Sequence, residues 1–289
     1  MSIVMNNVAT VFFQGNQASR LQAAKYSGKE GLDIYVTNGN VEHVYNPDAP
    51  RLLYNLFPYQ ELNDVAYGWS WNPWHWLFML IHWVRQWQFN VYGTACVPHN
   101  QHSLVNIGGS EDVAQCVIAI RACIAKYPTK RIVLFGTSRG AATVLVALTR
   151  LSKEEVDHLA LVIAEAPFAS VTSVLYETVP WPEKTVPWIT ALLERFTQYR
   201  ENQPSPLEAV TSNMFPLLVP LVFVTSEADT TVPVANTKQL ITVLRERKHQ
   251  ALHHIELKHS HHSWMSLGNE QDRQLYENDL QGLYRKYVL

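Results

Sequence analysis

The sequence predicts an α/β fold: a doubly wound, mostly parallel sheet with helices on both faces and a helical or irregular cap inserted in it. The first sign is a set of short, almost purely apolar runs, such as Arg131–Phe135 (RIVLF) and Leu221–Thr225 (LVFVT). These have the length and composition of strands buried on both faces. They alternate with longer stretches of helical periodicity, as strands joined by crossover helices do. The third sign is the stretch 170–220, which separates two apolar runs and carries Pro180, Pro182, Pro187, Pro204, Pro206 and Pro216 with Trp181 and Trp188. A connection that long between core strands is expected to be a lid or binding loop.

The elements follow in order. Thr10–Phe13 and Leu32–Thr37 are early strands, and Arg51–Tyr59 and Phe89–Val97 are further strands on either side of a tryptophan-rich segment. That segment, Trp69–Val84, is too short to span a bilayer and holds Asn72, Pro73, His75 and His82, so it reads as a core or cap helix. Ser110–Lys126 places Val113, Cys116, Val117, Ile120 and Ile124 on one helical face, with Ser110 suited to the N-cap and Glu111 and Asp112 to the first turn. Then come the strand Arg131–Phe135, a helix over Ala141–Leu151, and the strand Leu159–Ala164. Beyond the insertion lie the strand Leu221–Thr225, a helix over Asn236–Arg247, the strand His253–His259 and a closing helix over Asp272–Tyr287. The last turns Tyr276, Leu280, Leu283, Tyr284 and Tyr287 inward.

Composition narrows the function. The chain has 289 residues, 47% of them hydrophobic and 17% charged, with 23 Lys+Arg against 25 Asp+Glu. That suffices for one large core, so 1–289 reads as one domain containing the 170–220 cap. The absence of a basic excess argues against nucleic acid as the main ligand. Cys96, Cys116 and Cys123 are too few and too odd in number for a disulfide framework. With no leader-like start, a reducing, cytoplasmic setting without a membrane span is expected, and oligomeric state is left open.

The sharpest chemical signal is Gly136-Thr137-Ser138-Arg139-Gly140, directly after RIVLF and directly before a helix. A strand that turns abruptly into a helix strains its central residue and crowds the positions two away on either side. Glycine at 136 and 140 relieves that crowding, and Ser138 is lifted above the sheet edge. The helix N-terminus directs N–H groups at any oxyanion beside it. Serine is a weak nucleophile without a base, and the base needs an orienting carboxylate. In one recurrent layout these follow in the order serine, acid, histidine. Asp229 stands in the turn after Leu221–Thr225, within Ser226-Glu227-Ala228-Asp229-Thr230-Thr231-Val232-Pro233, and His261 and His262 stand after the last strand. Glu165, at the end of LALVIAE, is the alternative acid.

With these residues in view, the chain resembles the α/β-hydrolase superfamily over roughly 51–289, most closely its serine esterase and prolyl-peptidase-like branches. The resemblance rests on GTSRG, SEADTTVP and the histidine after the last strand. It implies an eight-stranded, mostly parallel sheet, no metal or other cofactor, and acyl transfer to serine. Carried over, it makes Ser138 the nucleophile, Asp229 the orienter and a histidine of SHHSW the base. His262, followed by the small Ser263, is favoured over His261. The H-G-G type oxyanion motif is missing. Since Pro58 has no N–H, Tyr59 is taken as the oxyanion backbone donor beside Arg139.

Other readings remain. The histidines between 249 and 262 invite a metal site, but His253 and His259 lie too far apart along a strand for one ion, and no H-E-x-x-H accompanies them. The expected activity is cleavage of a carboxylic ester, thioester or amide of a small, apolar acyl substrate through an acyl-enzyme. The alternative is a hydrolase-like fold serving as a binding or interaction module with its triad idle.

Overall fold

The computed structural model describes residues 8–13, 34–37, 41–43, 109–129, 131–178, 183–196, 200, 202–262, 265 and 269–288. In chain order these form β1 (Val8–Phe13), β2 (Ile34–Thr37), β3 (Val41–His43), α1 (Ser110–Lys126), β4 (Arg131–Thr137), α2 (Arg139–Leu148), α3 (Lys153–Asp157) and β5 (Leu159–Glu165). Then follow α4 (Val171–Thr178), a 3-10 turn (Glu183–Thr185), α5 (Val186–Phe196), α6 (Pro206–Thr211), β6 (Leu221–Ser226), α7 (Val234–Glu246), β7 (Leu252–Leu257) and α8 (Glu270–Tyr287). The expected strands Arg51–Tyr59 and Phe89–Val97, the tryptophan-rich helix, Tyr59 and Trp181 lie outside the described residues.

The strands build one sheet in the order β3-β2-β1-β4-β5-β6-β7. All neighbouring pairs are parallel except β2 with β3. The described residues thus supply seven of the eight strands that the resemblance implies. The apolar runs are continuous because β4, β5 and β6 are covered on both faces. Ile132, Leu134, Val162, Ala164, Leu221 and Phe223 pack into one cluster with α1, α2, α6 and α7. Val133, Phe135, Leu161, Ile163, Val222 and Val224 pack into another with Tyr276, Leu280 and Tyr284 of α8. Each such fully buried aliphatic or aromatic side chain stabilises the fold by about 1.5–3 kcal/mol relative to exposure.

The structure corrects some sequence expectations. Ser110 does not cap α1: Gly109 takes the cap position, and the Ser110 N–H donates to Gln203 Oε1 at 3.1 Å. Asp112 stands in the first turn of α1 as expected, and it is buried. The stretch 170–220 also divides in two. Ala209, Val210, Phe215 and Val219, in its second half, belong to the main core. Finally, β1 lies directly beside β4, pairing Phe13 with Gly136. The strand flanking the Ser138 strand on that side is therefore Val8–Phe13.

Candidate active site

The carboxyl ends of β4, β5, β6 and β7 share one sheet edge, the usual place for a site in an open α/β sheet. Ser138 follows β4 at once, with φ 53° and ψ −117°. Such a conformation costs a non-glycine residue on the order of 1–3 kcal/mol and persists only where its surroundings impose it. Here the Ser138 N–H donates to Glu165 O of β5 at 2.7 Å, while Ser138 O accepts the first helical bond of α2 from Ala142 N at 3.0 Å. The strand and the helix therefore grip one residue from both sides. A Cβ on Gly136 would meet Ala141 Cα and Gly140 O at 2.6 Å, so the sequence's demand for glycine there is steric.

Asp229 sits in the turn off β6 and is buried. Its Oδ1 accepts from the N–H groups of Thr231 and Val232, each at 2.9 Å. Its Oδ2 is 2.7 Å from His262 Nδ1. The turn sequence has a local logic: the two residues before Pro233 supply N–H groups that fix the carboxylate, and Val232 packs with Ala142 and Phe168. His262 Nε2 lies 2.9 Å from Ser138 Oγ. A carboxylate only accepts, so in the neutral imidazole Nδ1 carries the proton and Nε2 accepts from the serine hydroxyl.

Ser138, Asp229 and His262 are thus brought together. His261, the other candidate base, is exposed and stands outside this hydrogen-bonded chain. Glu165, the alternative acid, is buried elsewhere and accepts from the Tyr276 hydroxyl at 3.2 Å, tying β5 to α8. Arg139 opens α2 beside Ser138, and its buried guanidinium faces the buried Asp112, with Nε 3.6 Å from Oδ2. The remaining histidines have separate surroundings. His253 meets the Tyr287 hydroxyl and His254 the Thr225 hydroxyl, each at 2.8 Å. Among the described residues no three ligand-type side chains are grouped to hold a metal ion.

Sequence reasoning missed two supporting residues. Asn236, buried at the start of α7, accepts from Ala169 N at 3.1 Å and Ser173 Oγ at 2.5 Å and donates to Glu177 Oε2 at 2.9 Å. It ties the acid-bearing side of the site to α4. Asp272, in the first turn of α8, receives the backbone that leads to His262. In the sequence the two are an ordinary Asn and Asp near helix starts, where capping is the default reading.

Comparison with known proteins fits this geometry. Residues 100–284, well over half the chain, match the model of the prolyl oligopeptidase family. No curated protein matches the chain. Among solved structures, the chain is similar to the uncomplexed acylaminoacyl peptidase of Pyrococcus horikoshii, with 14% identity and a TM-score of 0.56, covering 99% of this chain and 38% of that one. It is also similar to an esterase of Pyrococcus furiosus, with 11% identity and a TM-score of 0.52 over 98% of this chain and 84% of that one. A puromycin-hydrolyzing peptidase of Mycobacterium tuberculosis is matched at 14% identity and a TM-score of 0.50, over 98% of this chain and 34% of that one. The chain therefore spans little more than a third of the length of the two peptidases. Likeness at such identities shows the fold, and the family match adds membership: the chain belongs to the prolyl oligopeptidase family, the prolyl-peptidase-like branch of the α/β-hydrolase superfamily.

Proposed function

We propose that the chain cleaves a carboxylic ester, thioester or amide of an apolar acyl substrate through an acyl-enzyme on Ser138. The observation that carries this reading is the unbroken hydrogen-bonded chain from Ser138 Oγ through His262 to Asp229, whose members stand on separate loops at one sheet edge. Ser138 Oγ attacks the carbonyl carbon while its proton passes to His262 Nε2, and Asp229 stabilises the imidazolium through Nδ1. The tetrahedral oxyanion collapses, the leaving group departs with the proton from Nε2, and the acyl group stays on Ser138. Water, deprotonated by the same imidazole, then releases the acid. The Arg139 N–H at the head of α2 is one oxyanion donor.

The cap in this reading is α4 and α5. Val171 and Val174 pack with Val232 of the acid turn and Ala142 of the nucleophile helix, so α4 borders the site. On α5, Trp188 is 76% and Leu192 54% exposed, which gives the cap an apolar outer surface suited to an apolar substrate. Among the described residues no helix is long and apolar enough to cross a membrane. The described cysteines, Cys116 and Cys123, are buried, and a reducing, cytoplasmic setting is part of the proposal.

The test is labelling with a fluorophosphonate, followed by identification of the modified residue, alongside Ser138→Ala. Modification at Ser138 and a loss of turnover of roughly 10⁶-fold are expected, as for other triad nucleophiles. Hydrolysis retained by a folded Ser138→Ala, or labelling elsewhere, would sink the proposal.

A further inference from the structure

We infer that Asp272 is the positioning residue for His262. The inference rests on His262 acting as the base of Ser138. His262 stands on a loop beyond β7 and is reached by only a few residues from Leu257, where the strand ends. Leu257 O accepts from Glu227 N at 2.9 Å, so the strand end is fixed to the turn that carries Asp229. The loop that follows is held by one side chain. Asp272 Oδ1 accepts from Lys258 N at 3.1 Å. Its Oδ2 accepts from His259 N at 2.7 Å, Ser260 N at 2.8 Å and Ser260 Oγ at 2.8 Å. Three consecutive backbone N–H groups and a hydroxyl thus converge on one buried carboxylate, and Ser260 is itself fully buried.

Only His261 separates this clamp from His262. Backbone fixed through Ser260 leaves few torsions by which Nε2 can drift from its 2.9 Å approach to Ser138 Oγ. The carboxylate is set in turn by α8: Asn269 caps the helix, its Oδ1 accepting from Asp272 N at 2.8 Å. Behind it, Tyr276, Leu280 and Tyr284 anchor α8 in the sheet's second core cluster. The pull of the N–H and hydroxyl donors holds the Asp272 carboxyl below its ordinary pKa, although burial acts in the opposite direction. Hydrogen bonds from these donors to a carboxylate are of the stronger, charge-assisted kind.

Asp272 is buried and both its carboxylate oxygens are taken up by the loop, so its loss acts on the chemical step. In Asp272→Ala, kcat for a small activated acetate ester falls about 10²-fold, the cost of misplacing a catalytic group by roughly an ångström, while KM holds within about twofold. Asp272→Asn keeps the shape but loses the charge and one acceptor, and its kcat falls about tenfold. Fluorophosphonate labelling of Ser138 slows by the same factors, because it needs the same base. Leu280→Ala serves as the control, since it loosens α8 within its core without touching the loop. It lowers the melting temperature but leaves kcat of the folded enzyme unchanged. Should Asp272→Ala fail to fold, Asp272→Asn carries the test. Unchanged kcat and labelling rate in folded Asp272→Asn, or an equal loss of kcat in Leu280→Ala, would overturn the assignment. Ser138→Ala separates the two readings. If it keeps activity, the triad reading fails. If it is dead while the Asp272 variants keep wild-type kcat, only the positioning role fails.

Discussion

Replacing Gly136 by alanine tests the elbow through a single methyl group. That methyl would stand 2.6 Å from Ala141 Cα and Gly140 O and 2.7 Å from Ala141 N. Carbon contacts settle at about 3.5–4.0 Å, so the start of α2 must retreat by close to 1 Å. The obstructing atoms are backbone and cannot swing aside as a side-chain tip would. Retreat is resisted from behind, where Ala141, Val144, Leu145 and Leu148 of α2 are wholly buried in the main core. Overpacking of this kind costs about 1–3 kcal/mol where side chains can yield, and the upper end applies here. At roughly 2–4 °C per kcal/mol, the melting temperature of Gly136→Ala falls by about 6–12 °C. The same displacement carries Ser138 away from His262 Nε2 and lowers kcat about 10²-fold. Thermal unfolding and esterase kinetics on the same preparation measure both effects. A variant that melts within about 2 °C of wild type with kcat intact would show that the close approach does not hold the elbow.

Two further perturbations probe the scaffold. His249 is half-buried with neither ring nitrogen hydrogen-bonded, and its ring lies 6.4 Å from that of Phe215. Burial, helped by Arg247 and His253, lowers its pKa from 6.5 to about 4. The unfolded chain therefore takes up the proton first. Stability is full above about pH 6.5 and declines toward pH 4, by on the order of 3 kcal/mol from this residue. His249→Leu removes most of that slope in urea melts between pH 7.5 and 4.5. His253 and His254, lowered chiefly by burial, leave a remainder. An unchanged slope would refute the assignment. Asp112→Ala removes the carboxylate facing the buried Arg139 guanidinium and costs about 3–5 kcal/mol in denaturant unfolding, whereas Asp112→Leu with Arg139→Met recovers most of it. A cost below about 1 kcal/mol for the single variant would mean that solvent reaches the pair.

The sequence shows those parts of the fold that rest on composition or sterics. Strands buried on both faces must be apolar throughout, so β4, β5 and β6 stand out without any neighbour being known. The elbow stands out because the close approach at Gly136 excludes every side chain. Asp229 is legible because a turn off a buried strand has few reasons to hold a buried acid. What the sequence hides is whatever depends on long-range register or on backbone donors. The place of β1 beside β4 joins residues more than a hundred positions apart, and no local pattern announces it. The clamp on the base loop pairs a carboxylate with backbone N–H groups, which every residue but proline possesses. Asp112 reads as a helix-dipole residue until its burial against Arg139 is seen.

These hidden supports divide the site into three independently anchored parts. Ser138 is fixed by the close approach at Gly136 and by Glu165 O, Asp229 by the N–H groups of its own turn, and His262 by the Asp272 clamp. The anchors lie on different elements and share no side chain, so their effects on stability add. Their effects on turnover do not, because Gly136 and Asp272 act on one hydrogen bond, that between Ser138 Oγ and His262 Nε2. Once displacement from one side has broken that bond, displacement from the other has little left to remove. Residues that work as a unit lose function together in this way. Combining Gly136→Ala with Asp272→Asn therefore lowers kcat by little more than Gly136→Ala alone, while the losses in stability sum.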